Sequence, residues 1–134
     1  MKGLYKRTWG DDLVVPGERI GGFMLGQRPG DFLPTDSNAT LSDWSISTGV
    51  AVELDSEGRL VDATTGEANY HTEEGFTAGT EVTAIIDVWG APDETRELGA
   101  DGYFEAMVAW RARGAGLAVK EGRVLYLSVF PPAE

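Results

Sequence analysis

The chain has 134 residues, 42% hydrophobic and 10% aromatic, a size and composition at which one domain with its own core is expected. It has no cysteine, one histidine and a net charge of −11, which excludes disulfides, thiol chemistry, thiolate metal sites and His-rich metal sites. No run approaches the roughly 20 apolar residues of a membrane span, and the basic start, residues 1–7, leads into Trp9-Gly10-Asp11-Asp12 rather than an apolar stretch, so a cytoplasmic protein without a secretory signal is expected.

The charge is unevenly spread. Residues 1–28 carry a net of +2, residues 29–95 carry fourteen acidic groups against Arg59 alone, and residues 96–134 balance at five each. An acidic middle of this kind repels nucleic acid and anionic lipid and attracts a basic protein surface.

In chain order, Gly22-Phe23-Met24-Leu25-Gly26 reads as a short strand, and the proline-broken stretch from Gln27 to Pro34 as no more than a single turn. Residues 35–43 read as loop. From Trp44, residues Ile46, Thr48, Val50, Val52 and Leu54 alternate with Ser45, Ser47, Gly49, Ala51 and Glu53, the period-two pattern of a half-buried strand. Asp55-Ser56-Glu57-Gly58 is a turn that leads to a second strand at Leu60; it lacks the alternating ligands of a calcium loop.

Thr80 is placed to cap a helix of about ten residues, in which Val82, Ile85, Ile86 and Trp89 fall on one face before Gly90 and Pro92 end it. A short strand follows at Glu94–Leu98, then a long one at Tyr103–Arg113 and further strands at Leu117–Lys120 and Arg123–Phe130, separated by Gly99–Gly102, Gly114–Gly116 and Glu121-Gly122. Such short connections demand antiparallel neighbours. The last strand is apolar on both faces and is expected to be central and covered on both sides.

Two motifs recur. Gly22–Gly26 parallels Gly75-Phe76-Thr77-Ala78-Gly79, and Gly49–Leu60 parallels Gly116–Val124, with the second interval 14 residues longer than the first. The expectation is one α+β domain over residues 1–134, built from two unequal repeats of a helix-on-antiparallel-meander unit. Repeat one spans about residues 18–66, with its helix reduced to a turn, and repeat two about 72–130.

A Gly-Phe-x-x-Gly strand, a helix running from Thr80-Glu81-Val82 to Trp89-Gly90-Ala91-Pro92, and an antiparallel meander together resemble the BamE/SmpA-type fold. The tandem form of that fold resembles the β-lactamase inhibitory proteins. Residues 75–130 carry the likeness, with Gly22–Gly26 and the stretch from Trp44 in the first half. The resemblance implies a scaffold that works by binding another protein. The chain lacks a lipid-bearing cysteine and disulfides, so neither membrane anchoring nor the secreted form carries over. Size, acidity and architecture also resemble the small immunity proteins that bacteria pair with secreted toxins.

Other chemistry is weakly signalled. His71 stands beside Glu73 and Glu74 between the repeats, where a solvated side chain is the ordinary outcome. Gly17–Gly22 lacks the spacing of a phosphate loop, and no serine sits in a nucleophile elbow. Trp89 and Trp110 belong to apolar patterns, Trp44 fits core or surface, and Trp9 between polar residues is the candidate exposed anchor.

Residues 60–95 hold eight acids and no base. The leading expectation is therefore a non-enzymatic inhibitor without cofactor or metal: an immunity protein that occludes a cognate toxin. Its partner-binding residues would be Asp62, Glu67, Glu73, Glu74, Asp93, Glu94 and Trp9, and its partner a protein with a basic surface, not nucleic acid or membrane. The alternatives are a ligand-binding or enzymatic module with a pocket between the repeats, around His71, Tyr103 and Arg111, and an envelope assembly or structural factor.

Overall fold

Glycine turns cut the chain into short strands, and strands make up most of the regular structure in the computed structural model, which describes residues 10–31, 41–97 and 105–133. The elements are β1 (Leu13–Val15), β2 (Arg19–Ile20), β3 (Phe23–Met24), a 3-10 turn at Pro29–Asp31, α1 (Leu41–Thr48), β4 (Val50–Leu54) and β5 (Leu60–Thr65). They continue with β6 (His71–Thr72), α2 (Val82–Trp89), β7 (Glu94–Glu97), β8 (Ala106–Trp110), β9 (Ala115–Lys120) and β10 (Arg123–Val129). The fold is α+β, with two helices and two sheets among the described residues.

The larger sheet is antiparallel throughout, in the order β4-β5-β10-β9-β8-β7. The smaller, β3-β2-β1-β6, is antiparallel except where β6 runs parallel to β1. Cross-strand register sorts the larger sheet into two faces. The row Val50, Thr65, Leu127, Leu117 and Val108 and the row Val52, Ala63, Val129, Ala115 and Trp110 point one way. There they join Val14, Ile20 and Phe23 of the small sheet, Trp44 of α1, and Ile85 and Trp89 of α2 in one core. Both helices and the small sheet thus cover the same face.

One hydrogen-bond pattern occurs twice along the chain. The Gly26 N–H donates to the Leu60 carbonyl and the Leu60 N–H to the Gln27 carbonyl, each at 2.8 Å. The Gly79 N–H donates to the Val124 carbonyl at 2.8 Å and the Val124 N–H to the Thr80 carbonyl at 2.9 Å. In both places a glycine corner is stitched to the first core residue of a central strand. Leu60 and Val124 are each almost wholly buried.

Several sequence expectations are corrected. Trp44–Thr48 is helical, not extended. Spacing by four places Trp44 and Thr48 on one inward face, the Thr48 hydroxyl donates to the Trp44 carbonyl at 2.7 Å, and the Gly49 N–H closes the helix onto Ser45. The apolar-polar alternation there is also what a short helix with Ile46 outward produces. The first half thus has a helix of its own, α1, in addition to the expected single turn at Pro29–Asp31.

Glu81, not Thr80, is the N-cap of α2, because the Thr80 hydroxyl accepts the Thr77 N–H instead. His71 and Thr72 belong to a strand and not to a free linker, since the His71 N–H donates to the Asp12 carbonyl. The break before β9 falls at residues 111–114, and the strand already begins at Ala115. A bulge between Val124 and Tyr126 turns Leu127 and Val129 to the core and leaves Tyr126, Ser128 and Phe130 half-buried on the other face, so β10 is central but covered on one side. Leu98, the Gly99–Gly102 turn and Tyr103 lie outside the described residues.

Gly114 joins the two sheets: its carbonyl accepts the N–H groups of both Gly17 and Phe130, each at 3.0 Å. It sits at φ +76°, and a Cβ there would fall on the Phe130 carbonyl oxygen and the Gly17 Cα. Gly58 has a similar φ of +80° but open space around it. Gly58→Ala should therefore lose only the backbone preference, about 1–2 kcal/mol. Gly114→Ala should lose about 3–5 kcal/mol because the steric conflict adds to it. Urea denaturation of the two variants side by side checks the difference.

Candidate functional site

Among the described residues, no helix covers the other face of the large sheet. Its central row, Ala51, Thr64, Ser128, Gly116 and Ala109, consists of small side chains directly opposite one another, ending at Glu94 on the edge strand. Larger groups flank that row. Along one side stand Asp62, Phe130 and Arg111, and along the other Tyr126, Met107 and Arg96. The result is an open trough of about 600 Å³ running across the strands, with Pro131 at its margin. Met107, 43% exposed, is its most accessible large hydrophobic side chain.

A second hollow of about 460 Å³ shares Thr64 and Tyr126 with the trough. It continues over Ala51 and Leu125 to Ile46 of α1, which is 67% exposed. Together the two hollows form one amphipathic surface from β7 to α1.

The floor is held together by hydroxyls. The Thr64 and Ser128 Oγ atoms lie 2.7 Å apart, and Thr64 Oγ1 donates to Asp62 Oδ1 at 3.0 Å. Arg111 closes one end: its guanidinium pairs with Glu94 at 2.8 Å and lies 5.9 Å over the Phe130 ring. Burial pushes the Asp62 carboxyl up from its ordinary range, with the Glu53 charge directly opposite on β4 adding to the push and the Thr64 hydroxyl opposing it.

The acidic residues singled out from sequence divide. Asp62 and Glu94 line the trough. Asp93 sits at its end, both carboxylate oxygens accepting the Arg111 N–H at 3.1 Å, and so fixes the turn that carries Arg111. Glu67 borders the second hollow, lying against Gly49. Glu73 is exposed in the turn after β6 and does not line the trough.

Glu74 is engaged with the core: it accepts the Trp89 indole N–H at 3.0 Å, and Arg113 lies 4.9 Å over that indole. Burial raises the Glu74 carboxyl, but the Trp89 N–H, its own amide, the Thr72 hydroxyl and the Arg113 charge together hold it below its usual value. Trp9 lies outside the described residues. His71 sits in the small sheet, its Nδ1 3.4 Å from the Asn69 carbonyl, and is no part of the trough that Arg111 borders.

Thr64, Ser128, Tyr126, Met107 and Arg96 escaped sequence reasoning. An uninterrupted alternation in β10 assigns Tyr126 to the same face as Val124, and the bulge reverses that assignment.

The two shifted carboxylates predict opposite pH behaviour. Asp62 is raised on folding, so its ionisation subtracts stability as pH climbs above about 4; Asp62→Asn should melt progressively higher than the parent between pH 4 and 7. Glu74 is depressed, so its contribution is full above the unfolded value and disappears as pH falls. Glu74→Gln should melt below the parent at pH 7 and converge with it near pH 3. Thermal melts across that range check both signs.

No family model, no curated protein and no solved structure matches the chain.

Proposed function

We propose that this protein is a protein-binding inhibitor, an immunity protein that neutralises a cognate bacterial toxin by occluding it in the cytoplasm. The observation that carries the reading is the sheet face that no described helix covers: a trough with aromatic and methionine walls, continuous with exposed Ile46, on a chain of net charge −11. Apolar anchors inside a charged rim are what a protein interface needs, and an acidic chain is steered toward a basic partner. Among the described residues, no helix is long and apolar enough to cross a membrane.

The proposal includes the history of that face. The twice-occurring stitch of Gly26 to Leu60 and Gly79 to Val124 supports a reading of the chain as two unequal copies of one unit, of the BamE/SmpA kind. An offset of 64 residues, Leu60 to Val124, also relates Thr64 to Ser128, the pair that meets where β5 and β10 join. On this reading the binding face spans the junction of the copies.

The test is a pull-down with the tagged full chain from its source cell. A stoichiometric protein partner is expected, its capture abolished by Met107→Arg in the trough and kept by Asp87→Lys on the solvent side of α2. Recovery of no stoichiometric partner, or equal loss with both variants, would overturn the reading.

A second reading has one observation in its favour. The trough lies across the β5–β10 junction, and its volume falls in the ordinary range for small-ligand sites. It predicts saturable thermal stabilisation by a small molecule from a metabolite panel, absent in Met107→Arg; a panel without such a hit disposes of it.

A further inference from the structure

The trough is electrically polarised along its length. At the β5 end stand Asp62 and, directly across from it on β4, Glu53; neither is in an ion pair among the described residues. Two carboxylates facing each other across neighbouring strands repel, and an incoming cation relieves that repulsion. At the β7–β8 end stand Arg96 and Arg111. Arg111 is neutralised by Glu94, whereas Arg96 makes no ion pair among the described residues.

Between the ends the floor is Thr64, Ser128, Gly116 and Ala109, shallow and without charge. Asp62 and Arg96 stand on opposite flanks, four strand spacings of ~4.8 Å across and four residues of ~3.3 Å along the strands from each other, so the two charges lie about 23 Å apart, the span of about seven extended residues.

We infer that the trough receives one extended segment of the partner, about seven residues long, lying diagonally across the strands, with a lysine or arginine at the Asp62–Glu53 end and an aspartate or glutamate at the Arg96 end. The inference rests on the protein-binding reading above and names the partner's contact. Residues between the two charges lie over a floor of hydroxyls and small side chains, between Phe130 on one wall and Tyr126 and Met107 on the other, which suits small or aliphatic side chains. A lone basic patch would satisfy the overall charge of −11 but would set a cation against Arg96. The groove selects a dipolar segment.

The probe is a phage-displayed library of random heptapeptides panned on the full-length chain, with enriched peptides then made synthetically and titrated. Enriched sequences should carry a basic and an acidic residue about six positions apart, at opposite ends of the heptapeptide. Their affinity should fall about three- to fivefold in Asp62→Asn and in Arg96→Gln, the worth of an exposed ion pair, and be lost in Ala109→Phe, which fills the floor. Met107→Glu, at the rim, gives a second groove variant should Ala109→Phe fail to fold.

Peptides lost with the groove variants but lacking paired charges, or indifferent to Asp62→Asn and Arg96→Gln, overturn this inference and leave the protein-binding reading standing. Peptides that bind all variants equally count against the uncovered face itself, and so against both. A library that yields no enriched peptide overturns the extended-segment inference, while the pull-down still decides the broader reading.

Discussion

Strands β5 and β10 meet with Thr64 opposite Ser128, their hydroxyl oxygens 2.7 Å apart, and that antiparallel contact makes one six-stranded sheet of two halves of the chain. Each half brings strands on its own side, β4 behind β5 and β9, β8 and β7 behind β10. The β4–β5 pair alone has too few strands to bury its apolar face. Joined, they present Val50, Ala63, Leu127, Val129, Ala115 and Leu117 as one surface, and the helices and the small sheet close over it. The same junction puts hydroxyls in place of large side chains at the middle of the opposite face, so the contact that builds the core also fixes where the trough lies.

The core is concentrated on one side for a reason visible in the helices. Each has only eight residues, about 12 Å of length, and each turns a narrow apolar stripe inward: Trp44 and Thr48 in α1, Ile85 and Trp89 in α2. The small sheet fills the remaining cover with Val14, Ile20 and Phe23. Around α2 the aromatic contacts are edge-on, Phe76 to Trp89 at 5.6 Å and Trp89 to Trp110 at 5.2 Å, with Glu74 and Arg113 holding the indole from outside. Glu74, an exposed acid in sequence terms, is spent on that cluster.

Much of the second half was legible from residue pattern because its signals are local. The spacing of Val82, Ile85, Ile86 and Trp89 allows only a helix, Gly90 caps it through its N–H to Ile86, and short glycine turns force the antiparallel meander. The first half was harder. Trp44 to Thr48 satisfies a period of two and a spacing of four equally well, and burial of Trp44 in tertiary contact decides between them. Strand β6 is two residues long and exists only because β1, nearly sixty residues earlier, offers its edge. Of the candidate site, the acids Asp62 and Glu94 could be named from the charge pattern, but the trough could not. It depends on which residues of non-adjacent strands share a row, and the bulge in β10 shifts that register without a sequence mark.

A sheet face left open to water must avoid self-association, and the composition of this one shows how. The central row is alanine, threonine, serine and glycine, so the exposed apolar area per strand is small, while charge stands near both ends: Glu53 and Asp62 toward one, Glu94, Arg96 and Arg111 toward the other. The larger apolar groups are few and spaced out, with Met107, Tyr126 and Phe130 along the walls and Ile46 beyond them. A face built only for solubility would not need aromatic walls, and a face built only for packing would not carry opposed carboxylates. Both features coexist where a surface must stay dissolved alone and still offer specific contacts to something else. That combination makes the uncovered side, and not the acidic loops around Glu73 and Glu74, the place where this chain meets a partner in the proposed function.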